Sequence, residues 1–141
     1  MTDEAAVLAA AVAQAMFKAD IASQNLGMRL EHIEPGTAVF SMPVREDMLN
    51  GLGICHGGIT FALADTAFAF ACNSRNRKTV ALNCTINFVG PARAGDVLHA
   101  KACEIALNGR TGIYDVTISN QSGELVAQFR GTSYGTSSPV V

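Results

Sequence analysis

Apolar residues recur at two different spacings along this chain, and the change of spacing divides it. Over residues 3–24, Val7, Leu8, Ala11, Val12, Ala15, Met16 and Ala19 repeat at helical intervals. They predict an amphipathic helix that stops by Gly27. Residues 37–44 alternate, with Ala38, Phe40, Met42 and Val44 on one side, and predict a strand. Residues 28–34 alternate more weakly, and Pro35-Gly36 between the two runs is a turn. Residues 45–55 hold Asn50-Gly51 and Gly53 and predict a loop. From Ile59 to Cys72 only Thr60, Asp65 and Thr66 are not apolar. A helix of this kind, over about 57–74, has to be covered on most sides.

Beyond residue 78 the period drops to two. Residues 79–89 place Val80, Leu82, Cys84, Ile86 and Phe88 on one face and Ala81, Asn83, Thr85, Asn87 and Val89 on the other. Three further strands follow, over 97–107, 111–119 and 124–134. Gly90-Pro91, Ala94-Gly95-Asp96, Asn108-Gly109 and Gln121-Ser122-Gly123 separate them. The closing TSSPVV reads as a loose tail. Short turns between consecutive strands predict an antiparallel sheet. The 57–74 helix is the one element able to cover it, so the expected fold is α+β, a sheet wrapped around a central helix in one domain spanning 1–141.

Composition sharpens this picture. Apolar residues make up 49% of the chain and charged residues 16%, against a usual ~25%. So few ions cannot coat a small domain, which points to a surface buried between copies of the chain. A net charge of −2 with no basic run argues against nucleic acid as a partner. No apolar stretch reaches the ~20 residues of a membrane span. Asp3 and Glu4 stand where a leader peptide would carry cations. Cys55, Cys72, Cys84 and Cys103 form no CxxC pair, and with His32, His56 and His99 they show no metal-ligand spacing. They read as mostly buried, reduced thiols of a cytoplasmic protein.

Asp65 carries the most chemistry. A carboxylate in the middle of a buried helix costs several kcal/mol unless something compensates it. No Lys or Arg lies on the helix before Arg75. Either local hydroxyls or a polar stripe hold Asp65, or it is a functional carboxylate. Gly57-Gly58 opens the same helix, where free N–H groups and a partial positive charge suit an oxyanion. Asp65 follows Gly57 by eight residues, about 12 Å of helix. One carbonyl cannot lie within about 3 Å of both, so a shared reaction requires them to come from different subunits. His56 is a base, an acid or a helix-terminal residue. Asn50 either takes a turn conformation before Gly51 or presents its amide to a ligand. Asn83 and Asn87 line a polar groove or face solvent. Asn108-Gly109-Arg110-Thr111 is a hairpin turn, or a phosphate clamp built on Arg110; Arg93 has the same two readings. Phe61, Phe68, Phe70 and Met48 are aryl-pocket or core residues.

The run Asn50-Gly51-Leu52-Gly53-Ile54-Cys55-His56-Gly57-Gly58, followed by Leu63-Ala64-Asp65-Thr66-Ala67 and Phe68-Ala69-Phe70-Ala71-Cys72-Asn73-Ser74, resembles the hotdog-fold acyl-CoA thioesterases of the phenylacetate-pathway type. The likeness covers most of 26–134. It implies the hotdog fold, dimers that usually pair into tetramers, and hydrolysis of an acyl-CoA to a free acid and CoA. It implies no metal and no cofactor, coenzyme A being part of the substrate. Phenylacetyl and hydroxyphenylacetyl groups are the implied acyl class. Asp65 then matches the catalytic carboxylate, Gly57 the backbone donor to the thioester oxygen, Asn50 the side chain orienting water or carbonyl, and His56 the motif histidine. Gly58 and Thr66 fall beside them. The Asn108, Gly109, Arg110, Thr111 turn matches the region contacting the CoA nucleotide, with Arg110 a phosphate partner. Where related enzymes carry a small hydroxyl residue after the helix, this chain has Ala81, leaving Asn83 or Thr66 to substitute. A hydratase would need an Asp/His pair that Asp65 lacks. An acyl-CoA sensor on the same fold, or a thioesterase for short- or medium-chain fatty acyl-CoA, is compatible with the same residues.

Overall fold

The computed structural model describes residues 3–141. Its elements are α1 (Asp3–Ala19), α2 (Ile21–Asn25), β1 (Arg29–Glu34), β2 (Thr37–Pro43), a short 3-10 turn (Glu46–Met48), α3 (Gly57–Asn73), β3 (Thr79–Phe88), β4 (Val97–Asn108), β5 (Thr111–Ser119) and β6 (Leu125–Gly135). All six strands form one antiparallel sheet in the order β1-β2-β4-β5-β6-β3. The sheet curls around α3, which touches every strand. That wrapping follows from a helix with Leu63, Ala64, Ala67, Phe68, Phe70 and Ala71 all buried. Among the described residues no helix is long and apolar enough to cross a membrane.

Two aromatic groups lock the helix to the sheet. Phe70 meets Phe40 of β2 edge-on at 4.7 Å between ring centres, and Phe17 of α1 at 6.4 Å. Phe68 lies between Tyr114 of β5 and Phe129 of β6, at 5.7 and 5.6 Å. The Phe68 ring rests on Gly131, where an added Cβ would come within 2.8 Å of ring atoms. Met48 is core as well, while Phe61 is half-buried against Phe129.

Several sequence expectations change. The 3–24 helix breaks at Asp20, whose carboxylate accepts from the Ser23 N–H at 3.0 Å and starts α2 as a new helix. The register of β3 against β6 slips between Ala81 and Asn83. One extra residue inverts the alternation. Ala81 therefore shares the helix-facing side with Cys84 and Ile86, and Val80 points outward opposite Tyr134. Finally, the tail is tied down: Asn76, in the left-handed region at φ 64°, accepts from the Val140 and Val141 N–H groups. All four cysteines carry free thiols, but only Cys55 is buried and the other three are half-buried.

Gly131→Ala is expected to cost about 1–3 kcal/mol, because the Phe68 ring is held by two aromatic neighbours and has no room to retreat. The urea midpoint measures it; an unshifted midpoint would show that the ring yields.

Candidate active site

Asp65 lies midway along α3, where the sheet leaves the helix half-covered. Among the described residues its carboxylate has no hydrogen-bond or ion-pair partner, and partial burial raises its pKa above the ordinary value. The local-hydroxyl reading therefore fails. Thr66 donates instead to the Ala62 carbonyl at 2.8 Å and touches the Ser23 hydroxyl at 3.2 Å. Ser23, 3% exposed, donates in turn to Asp20 at 2.6 Å. This chain of contacts pins α2 to α3 beside Asp65. The result is a cleft of about 270 Å³ lined by Asp65, Thr66, Ser23, Leu26 and Met28 among others.

The start of α3 forms a second cleft, of about 180 Å³, which holds Asn50, Gly57, Thr60 and Phe88. His56 is the helix cap: its Nδ1 accepts from the Gly58 N–H at 2.9 Å. That bond occupies Gly58 and leaves the Gly57 N–H as the open donor at the helix end. The Asn50 side-chain oxygen is taken by the Leu52 and Ile54 N–H groups at 2.9 and 3.3 Å. Its NH₂ remains available as a donor. The Phe88 ring, 57% exposed, covers the Cα of Gly57; a Cβ there would be 3.1 Å from the ring.

Within one chain, then, Asp65 and Thr66 stand in one cleft and Asn50 and Gly57 in another. Asn83 belongs to neither. It pairs with Thr132 on the outer side of the sheet, away from α3, because of the slip in β3. Asn108, Gly109, Arg110 and Thr111 make the β4–β5 turn, and Arg110 lines a third cavity past the end of α3. Arg93 sits apart from all three, in the turn before β4. Among the described residues no three His, Cys, Asp or Glu side chains gather as a metal site. Sequence spacing does not mark Ser23, Met28 or Phe88 as site residues. Ser23 stands in a run that reads as unbroken helix, Met28 in a weakly alternating one, and Phe88 looks like an ordinary strand residue.

Residues 52–127 match the family model described as Thioesterase superfamily. The chain belongs to this superfamily. The acyl-coenzyme A thioesterase PaaI of Escherichia coli (strain K12) is 47% identical over 86% of this chain and 87% of that protein. The solved structure of E. coli PaaI, from the phenylacetic acid degradation operon, superposes with a TM-score of 0.93 at 43% identity over 95% of this chain and 97% of that one. A Streptococcus mutans UA159 protein solved bound to acetyl CoA superposes with a TM-score of 0.77 at 27% identity, covering 79% and 90%. The hotdog architecture of the superfamily is the helix-in-sheet arrangement described above.

Burial makes Asp65 hold its proton more tightly in the fold than in the unfolded chain. The stability this confers is complete below the unfolded pKa and disappears as pH rises through the folded one. At neutral pH the ionised carboxylate is a net cost. Asp65→Asn is therefore expected to be more stable than the wild type near pH 7, with the gap closing toward about pH 4. Denaturation at both pH values checks this; an Asn variant less stable at neutral pH would contradict it.

Proposed function

We propose that this thioesterase-superfamily member hydrolyses acyl-CoA thioesters to free acid and CoA, with aryl-acetyl-CoA of phenylacetate degradation as the preferred class. The observation that carries the reading is the unpartnered, half-buried Asp65 carboxylate lining a cleft on α3. The high identity to E. coli PaaI supports the acyl class.

Two copies pair along the free edge of β3 and complete the site. That edge is ten residues long, with Val80 56% and Leu82 61% exposed, a combination that a lone chain leaves open to pairing. With two α3 helices antiparallel about the two-fold axis, Asp65 of one copy faces the Gly57 N–H of the other. The thioester carbonyl binds at that N–H, where the helix dipole favours the oxygen as it becomes negative. Asp65, made a stronger base by burial, removes a proton from a water as its oxygen bonds to the carbonyl carbon. The tetrahedral intermediate then expels CoA as a thiolate, and Asp65 returns the proton to the sulfur. The Asn50 NH₂ orients the water or the carbonyl. His56 acts through its cap on Gly58, which keeps the first turn of α3 in place. Coenzyme A enters only as part of the substrate.

With a panel of phenylacetyl, hydroxyphenylacetyl, benzoyl, short-chain and long-chain CoA esters, thiol release is expected to be fastest for the aryl-acetyl esters. Asp65→Asn is expected to lower kcat by at least about 100-fold while CoA still binds. Binding without hydrolysis of any ester would assign the fold to acyl-CoA sensing instead. The shared site has its own test. Asp65→Asn and Gly57→Val, each inactive alone, are co-expressed. Half of a random population is mixed dimers, each with one intact site of two, so about a quarter of wild-type activity returns. No recovery would put the whole site in one chain.

A further inference from the structure

The cleft between α2 and α3 is one-sided in its chemistry. Leu26 and Met28 give it an apolar wall. Its polar side chains are Asp20, Ser23, Asp65 and Thr66, and no Lys, Arg or His joins them in the lining. Asp20 is held by one neighbour: the Ser23 N–H donates to its Oδ1 at 3.0 Å and the Ser23 hydroxyl to its Oδ2 at 2.6 Å. Both donors are neutral, and among the described residues Asp20 has no cationic partner. Asp65, on the facing wall, has no partner at all. The two hydroxyls add acceptors, because a hydroxyl has a single proton. That of Ser23 goes to Asp20, and that of Thr66 to the Ala62 carbonyl at 2.8 Å. Neither has a proton left for a ligand. The chain's cations stand elsewhere. Arg45, which reaches α2 at the Asn25 carbonyl, is paired with Asp47. Arg75, Arg77 and Arg110 line the cavity beyond the end of α3.

We propose that Asp20 is a specificity-determining residue, which makes this cleft an acyl subsite that takes neutral acyl groups and turns away those ending in a second carboxylate. The proposal rests on the thioesterase reading, in which the carbonyl carbon stands beside Asp65 when water attacks it. The acyl group is bonded to that carbon and lies in the cleft that Asp65 lines. A terminal carboxylate there meets two negative charges, no cation and no free hydroxyl proton. Like charges about 6 Å apart repel enough to weaken binding by roughly 3-fold in a water-filled cleft and roughly 100-fold in a drier one. An apolar or hydroxylated acyl group meets no such barrier, and the wall of Leu26 and Met28 suits it. Asp20 differs from Asp65 in that its charge is separable from its structural work. It caps α2, and Asn caps a helix about as well as Asp.

The test compares wild type with Asp20→Asn, both checked for native circular dichroism. kcat/KM is measured for two pairs of CoA esters that differ only in charge: 4-carboxyphenylacetyl against 4-carbamoylphenylacetyl, and adipyl against its terminal amide. The CoA part and the chain length cancel within each pair. Wild type is expected to favour the amide by roughly tenfold or more at low salt, and added salt narrows that ratio. Asp20→Asn is expected to lower the ratio by at least about threefold, through a gain on the carboxylate ester. Asp20→Glu, which keeps the charge, should keep the wild-type ratio. A ratio unchanged by Asp20→Asn overturns the proposal. So does a wild type with no preference for the amide, an outcome that needs no variant to fold. Should the wild type cleave none of the four esters, the thioesterase reading fails by itself. Calorimetry with the uncleavable CoA thioethers bearing a 4-carboxybutyl group or its amide then decides. Weaker binding of the carboxylate, relieved by Asp20→Asn, supports the subsite, and equal binding of the two overturns it.

Discussion

α3 has almost no polar side, and a single antiparallel sheet has to cover it. A flat sheet would shield one face; this one curls until all six strands touch the helix. The curl is possible because small residues stand where the layers meet. Ala64, Ala67 and Ala71 on the helix share one buried core with Ala100, Ala102 and Ala127 of the strands, and Gly131 admits the Phe68 ring. The wrapping remains incomplete along one side. Asp65 stands there, half-buried and without a partner. The position of the unpartnered carboxylate is thus a by-product of how far six strands can reach around one helix.

The site has an electrostatic division of labour along α3. At its start, His56 satisfies Gly58 and leaves Gly57 open, so that donor strength is concentrated on one N–H. In its middle, burial works against ionisation of Asp65. At its far end the negative pole of the dipole would repel anions, and the arginines of the following turn reverse that sign. One helix thereby presents an open N–H, an unpartnered carboxylate and, beyond its end, a cationic cavity. The unpaired carboxylate weakens the fold near neutral pH, and the aromatic locks around Phe68 and Phe70 offset it.

Periodicity disclosed the helix-in-sheet plan because both signals are local: α3 is apolar all round, and β4 and β5 alternate over long runs between good turn residues. That Asp65 has no cationic partner on its own helix was also visible, since no Lys or Arg lies on the helix before Arg75; that no local hydroxyl holds it needed the structure. What escaped depends on non-local geometry. The slip at Leu82 leaves no mark in an alternating run, yet it sends Asn83 to the outer side and brings Ala81 inward. The break at Asp20 was hidden inside a continuous helical period: the cap is local, but the contact of Ser23 with Thr66 of α3, which holds the new helix, is not. The tail looked loose because Asn76, which holds it, is 64 residues away from Val140. The meeting of Arg77 with Arg110 likewise requires the hairpin to fold back over the end of α3.

The order of strands in the sheet also has a consequence in time. β3 is made early, but its one neighbour in the chain's own sheet is β6, the last strand. While residues 89–124 are still being added, at ~5–20 residues per second, β3 has neither edge satisfied. Val80, Leu82 and Phe88 are meanwhile exposed on a strand that any other strand could capture. The sheet closes around α3 only when the C-terminal residues arrive. A chain cut short before β6 would leave the ribosome with its helix uncovered and its stickiest strand unclaimed.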